Sequence, residues 1–84
     1  MDEAADREMA LEILRLFERT HTDGWDLHVF FELVAGDNPS RREAILDVVD
    51  RLVRYGYLES RGSDFYTLTD QGMEAARRGE IDEW

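Results

Sequence analysis

The chain contains no cysteine, no lysine and a single proline, Pro39. Without cysteine, disulfides and thiolate metal sites are excluded, and the redox compartment leaves no trace in the composition. No apolar run approaches the roughly 18 residues that a membrane span needs. The segment Met1 to Glu8 is acidic and does not read as a signal peptide. The expectation is therefore a cytoplasmic protein with no membrane partner. There is no Gly-rich phosphate loop and no Ser/His/Asp set at a suggestive spacing, and His21 and His28 have no evident metal-ligating companions. No enzymatic activity, cofactor or metal is expected.

What is abundant is negative charge. Ten arginines face twenty acidic residues, for a net charge of −10 over 84 residues. An arginine-only, acidic composition suits either a GC-rich genome or a high-salt setting. A hydrophobic share of 43% with 36% charged residues describes a globular chain, and this length holds one domain. The charge is uneven. Residues 1–8 carry −3 and residues 80–84 another −3, which leaves −4 for the body between them.

From Glu3 to Arg19, apolar residues fall at Met9, Ala10, Ile13, Leu14, Leu16 and Phe17, opposite Glu8, Glu12, Arg15 and Arg19. That is the period of an amphipathic helix. His21-Thr22-Asp23-Gly24 breaks it. Trp25–Val34 is apolar on nearly every side and reads in two ways. The preferred one has a short strand at Gly24–Asp26, an N-cap at Asp26 and a buried helix over Leu27–Ala35 stopped by Gly36. The alternative is one buried strand through Phe31. Trp25, Phe30 and Phe31 are expected in the core, with a ligand pocket as the lesser reading.

Ser40 and Glu43 have the spacing of a capping box. The helix they open is expected to bury Ala44, Ile45, Val48, Val49, Leu52 and Val53 and to end at Tyr55-Gly56. Two β-prone runs, Tyr57–Ser60 and Phe65–Leu68, flank Arg61-Gly62-Ser63-Asp64. A two-residue turn would pair Leu58 with Thr67 and separate Leu58 from Tyr66 and Leu68. A three-residue loop gathers all three on one face and is the expected register. Thr69 then caps a last helix, Asp70 to Arg78, closed by Gly79.

Two of these segments carry a family resemblance. Leu52-Val53-Arg54-Tyr55-Gly56-Tyr57-Leu58 resembles the end of a recognition helix running into a wing. Tyr66-Thr67-Leu68-Thr69-Asp70-Gln71-Gly72 resembles the wing's return strand followed by a Leu-Thr-x-x-Gly helix start. In this order, over residues 9–79, the chain is similar to the winged-helix superfamily of transcriptional regulators, without separating MarR-like from PadR-like groups. The resemblance implies an α+β, winged helix-turn-helix fold: a three-helix core, a two-stranded hairpin wing and a short C-terminal helix. It further implies a DNA-binding transcriptional regulator, acting as a homodimer. One helix would lie in the major groove of double-stranded DNA and the hairpin on the backbone or minor groove. Carried over, the DNA-contacting set is Ser40, Arg41 and Arg42 at the start of helix 40–54, Arg51 further along it, and Arg61 at the wing tip.

Each residue also has a plainer reading. Arginine in a first turn opposes the helix dipole, so a cost accepted at Arg41 and Arg42 favours a DNA role. Arg51 and Arg54 suit a helix C-terminus for structural reasons alone. Arg61 equally well faces Asp64 across the hairpin, a pair worth about 0.2–1 kcal/mol. Against DNA, segment 40–54 sets four arginines against Glu43, Asp47 and Asp50, only +1, whereas phosphate contacts supply most non-specific affinity. The alternative function is a protein-interaction module on the same fold, binding a protein partner and no DNA. The −10 charge and the apolar tail residues Ile81 and Trp84 favour it. That tail reads as a frayed end, or as a segment that folds back over the core or docks on a partner subunit. An acidic mimic of DNA is disfavoured, because the carboxylates cluster at the ends.

Overall fold

Helix α1, Glu3–Thr20, forms one wall of the core in the computed structural model, which describes residues 3–20, 24–82 and 84. Its apolar stripe, Met9, Ala10, Ile13, Leu14, Leu16 and Phe17, is buried against two later helices. The expected break at His21, Thr22 and Asp23 lies outside the described residues.

Strand β1, Gly24–Asp26, leads into helix α2, Leu27–Phe30, which continues as a π-helical turn over Phe31–Ala35. The Asp26 carboxylate accepts the Val29 N–H at 3.0 Å, as an N-cap does. The helical reading of this stretch therefore holds, and the buried-strand alternative does not. Its second half is wider than expected. The Gly36 N–H donates to the Phe31 carbonyl, five residues back, at 2.9 Å. Gly36 stops the turn with φ +60°, a conformation that side chains with a Cβ rarely adopt. Phe30 is fully buried, with its ring centre 5.8 Å from that of Phe17 and 6.2 Å from that of Tyr66.

Helix α3 is Pro39–Arg54, and its start corrects the capping-box expectation. The cap is Asn38, whose side-chain oxygen accepts the Ser40 and Arg41 N–H groups at 3.0 and 3.2 Å. Pro39 occupies the first helical position, where a missing N–H costs nothing. Ser40 consequently lies inside the helix, and the Ser40–Glu43 box does not form. Ile45, Val48, Val49 and Leu52 are buried; Ala44 and Val53 are half-buried. The helix ends at Tyr55, with Gly56 at φ +86°.

Strands β2, Leu58–Ser60, and β3, Phe65–Leu68, join β1 in an antiparallel sheet of order β1-β3-β2. Leu58 pairs with Leu68 and Ser60 with Tyr66. The Arg61 N–H donates to the Phe65 carbonyl at 2.8 Å, leaving Gly62, Ser63 and Asp64 as a three-residue loop. This is the expected register. Because Trp25 pairs with Tyr66, four inward side chains (Trp25, Leu58, Tyr66, Leu68) share one face of the sheet.

The chain then turns at Thr69 into helix α4, Asp70–Arg78. The Thr69 hydroxyl accepts the Gly72 N–H at 3.0 Å and lies 2.6 Å from the Gly56 carbonyl and 3.0 Å from that of Tyr57. The Gln71 amide donates to the Tyr55 carbonyl at 3.1 Å. A Cβ on Gly72 would run into the Tyr57 carbonyl oxygen and the Leu68 side chain. The Leu-Thr-x-x-Gly pattern is thus a clasp between the end of α3, the sheet and the start of α4.

After Gly79 the tail folds back. Ile81 is buried, and Trp84 lies half-buried against the core. Helices, an antiparallel hairpin and a C-terminal helix make an α+β domain, with four helices and a three-stranded antiparallel sheet among the described residues. This topology is compatible with a winged helix. No helix is long and apolar enough to cross a membrane, and no group of metal-ligating side chains occurs among the described residues.

The reassigned cap is testable by guanidinium denaturation. Asn38→Ala is expected to lower stability by about 1 kcal/mol, while Ser40→Ala shifts it by less than about 0.5 kcal/mol. Gly72→Ala, forced against a backbone carbonyl, is expected to cost about 1–3 kcal/mol or more.

Candidate interaction surfaces

Helix α3 sorts its charged side chains by face. Arg41 and Arg51 turn towards α1. The Arg41 Nε donates to the Val34 carbonyl at 3.1 Å and its Nη2 to the Glu12 carboxylate at 3.0 Å. Arg51 reaches the Glu3 carboxylate at 3.4 Å and lies 4.2 Å from the centre of a Trp84 ring, with only 22% of its side chain exposed. Arg42 turns elsewhere, donating to the Gly36 carbonyl at 3.1 Å and stacking 5.0 Å from the Phe31 ring centre.

Arg41 and Arg42 therefore cap carbonyls at the end of the preceding helical segment, where positive charge is favoured. That contact offsets the dipole cost of placing arginine in the first turn of α3. Ser40 is exposed, with its N–H held by Asn38. Ser40, Arg41 and Arg42 share one turn, but the two guanidinium groups diverge. Arg51 lies further along α3, and Arg61 stands on the hairpin.

Arg61 pairs with Glu59 at 3.1 Å. The pairing with Asp64, one of the two readings of Arg61, does not form; the Asp64 carbonyl accepts the Leu27 N–H at 2.8 Å, and its backbone sits at φ +61°. Tying the loop to α2 holds Asp64 in a conformation set by its backbone.

The side of α3 turned most fully to solvent is acidic. Glu43, Asp47, Asp50 and Arg54 are all exposed and follow one another at helical spacing. The only cation of this stripe, Arg54, is bound to Asp50 at 2.8 Å. This is the stripe that the winged-helix resemblance turns towards a major groove.

Beside it runs a feature that the sequence reading missed. Leu46, Val49 and Val53 line a depression of about 290 Å³ between α3 and the sheet, completed by Leu27, Ser60 and Tyr66 and edged by Asp50. Leu46 is 53% exposed. Its signal in the sequence was its position, one residue past the buried Ile45 and next to Asp47, on the polar side of an otherwise regular stripe. A second depression, of about 330 Å³, shares Leu27 with the first and is lined further by Asp26, His28, Phe31, Ser63 and Asp64. Burial pushes the Tyr66 phenol above its ordinary pKa, and the Asp64 and Asp50 carboxylates push it further the same way.

At the other end of the molecule Arg78 is chelated by Asp82 at 3.1 Å and Glu80 at 2.8 Å, which holds its guanidinium still more firmly protonated. Compared with family models, with curated proteins and with solved structures, the chain finds no match.

The electrostatics of the groove predict a titration. The Tyr66 pKa is raised above 10.0 in the folded chain, so the stability it contributes is intact below pH 10.0 and is lost as pH climbs through the raised value. Asp50→Asn is expected to bring that pKa part of the way down, leaving the larger contribution of burial. Phenolate absorbance of the parent minus that of Tyr66→Phe measures both.

Proposed function

We propose that this chain is a winged-helix-type domain that docks another protein through α3 and the hairpin and does not grip duplex DNA. The winged-helix assignment is supported by the order of elements, the hairpin register and the Thr69 clasp. The docking reading is carried by the acidic solvent stripe of α3, Glu43, Asp47, Asp50 and Arg54. A carboxylate held about 6 Å from a phosphate is repelled by about 0.7 kcal/mol in bulk water and about 3 kcal/mol at the effective dielectric near a protein surface. With Asp50 paired to Arg54, the stripe still carries a net −2 from Glu43 and Asp47, the wrong sign for a phosphate backbone. Arg41 and Arg51 point away from that face, each held within the chain.

The second reading is a DNA-binding regulator acting as a homodimer. It is favoured by the exposure of Ser40 and Arg42 in the first turn of α3 and of Arg61 on the hairpin. Arg61 pairs only with an exposed partner, and exposed pairs are worth about 0–1 kcal/mol, little enough to be exchanged for phosphate.

Fluorescence anisotropy of a labelled mixed-sequence duplex, titrated with the chain at low and then high salt, separates the two. The expected outcome is no saturable binding at either. Saturable binding that weakens with salt and is reduced by Arg42→Ala and Arg61→Ala would overturn the docking reading in favour of DNA.

A further inference from the structure

The groove between α3 and the sheet has a chemistry that selects its occupant. Its lining is mixed: Leu27, Leu46, Val53 and the ring of Tyr66 give it apolar patches over the buried Val49, and Ser60 and Asp50 stand beside them. Its walls, together with those of the adjoining depression that shares Leu27, carry Asp50, Asp26 and Asp64, with no arginine and one imidazole, His28, paired with Glu32 at 2.9 Å. Two arginines touch lining residues without lining either depression: Arg54, held by Asp50, and Arg42, stacked on Phe31. Burial raises the Tyr66 pKa most, and the nearby Asp64 and Asp50 carboxylates raise it further.

Apolar patches beside carboxylates call for a ligand with apolar anchors flanked by cations. A second copy of this chain, carrying −10, brings the wrong sign. At about 290 Å³ the depression lies at the lower limit of the roughly 300–1,000 Å³ typical of sites that enclose a drug-sized molecule, so a small ligand would stay largely in water. A polypeptide segment would instead span both depressions, its apolar side chains alternating with basic ones over the carboxylates.

We propose that the groove between α3 and the sheet binds a basic amphipathic segment of another protein, with Leu46 and Tyr66 contacting its apolar face and Asp26, Asp50 and Asp64 its arginines or lysines. This inference rests on the docking reading above and deepens it by naming the partner's chemistry. It also explains why Leu46 stands exposed on α3 while Ile45, next to it, is buried. Opposite charge guides the encounter and excludes acidic competitors, while burial of the apolar anchors supplies the affinity.

The test is selection from a displayed library of random peptides against the intact chain, followed by affinity measurement and amide chemical-shift mapping with the recovered sequences. Enrichment of net-basic peptides with spaced apolar residues, shifting the amides of Leu27, Leu46, Val53 and Tyr66, is expected. Leu46→Ser, a change at an exposed position that leaves the thermal melt unaltered, should weaken such peptides by about tenfold or more. Asp50→Lys should weaken them comparably, and the loss should shrink at high salt. Absence of enrichment, enrichment of neutral or acidic sequences, or equal binding to Leu46→Ser would each overturn the proposal. Peptides that bind Leu46→Ser undiminished and shift amides elsewhere would remove the groove but keep protein docking. Only the duplex titration overturns the docking reading itself.

Discussion

The hydroxyl of Thr69 is the point on which the rest of the architecture turns. It caps the first turn of α4, and it approaches the Gly56 and Tyr57 carbonyls at the point where α3 has ended and the sheet begins. One small side chain thus ties the N-terminus of α4 to the link between α3 and β2, its single proton shared between two neighbouring carbonyls, while the Thr69 N–H also donates to the Tyr57 carbonyl at 3.2 Å. The absence of a Cβ at Gly72 lets the Tyr57 carbonyl press against α4, and Gln71 completes the junction by reaching the Tyr55 carbonyl. With this crossing held, Leu58 and Leu68 are paired across the hairpin, and Ala75 and Ala76 are delivered to the face of α1. The exposed side of α3 and the groove beside it are consequences of the angle at which these parts meet.

Arginine links elements in this structure more than it supplies positive surface. Arg41 joins α3 to α1 and to the π-helical turn, Arg42 joins α3 to Gly36 and Phe31, and Arg51 gathers Glu3 and Trp84. A guanidinium presents five donors in a planar fork and stacks on rings, so it can hold a carbonyl and a carboxylate together, as Arg41 does. A chain with twice as many acids as bases that uses its bases this way leaves its exterior strongly anionic.

The sequence was most legible where local chemistry decides the outcome. The apolar period of α1, the Asp26 and Thr69 caps, the Gly56 and Gly79 stops and the three-residue hairpin loop could be read from neighbours a few positions apart. It was less legible where two local signals competed. Ser40 and Glu43 have the spacing of a capping box, but Asn38 and Pro39 offer a start two residues earlier with both N–H groups satisfied. The π-helical turn left no periodic mark, since it depends on Gly36 reaching back five residues. The candidate site was least legible of all. Charge counting found the arginines of α3 but not their directions, which are set by carbonyls and carboxylates from distant segments. Leu46 was visible only as a leucine out of place.

The strand order β1-β3-β2 puts the two three-residue strands at the rims of the sheet and the longer β3 between them. Asp26 and Glu59, both exposed, stand on those rims. Rims so short and so charged offer a foreign strand few free main-chain groups in register, which is how natural sheets discourage edge-to-edge polymerisation. Such rims disfavour β-augmentation, in which main-chain hydrogen bonds along an exposed edge supply the affinity. On the docking proposal, contact would then rest on side chains, and discrimination between partners on a handful of residues of α3 and the hairpin.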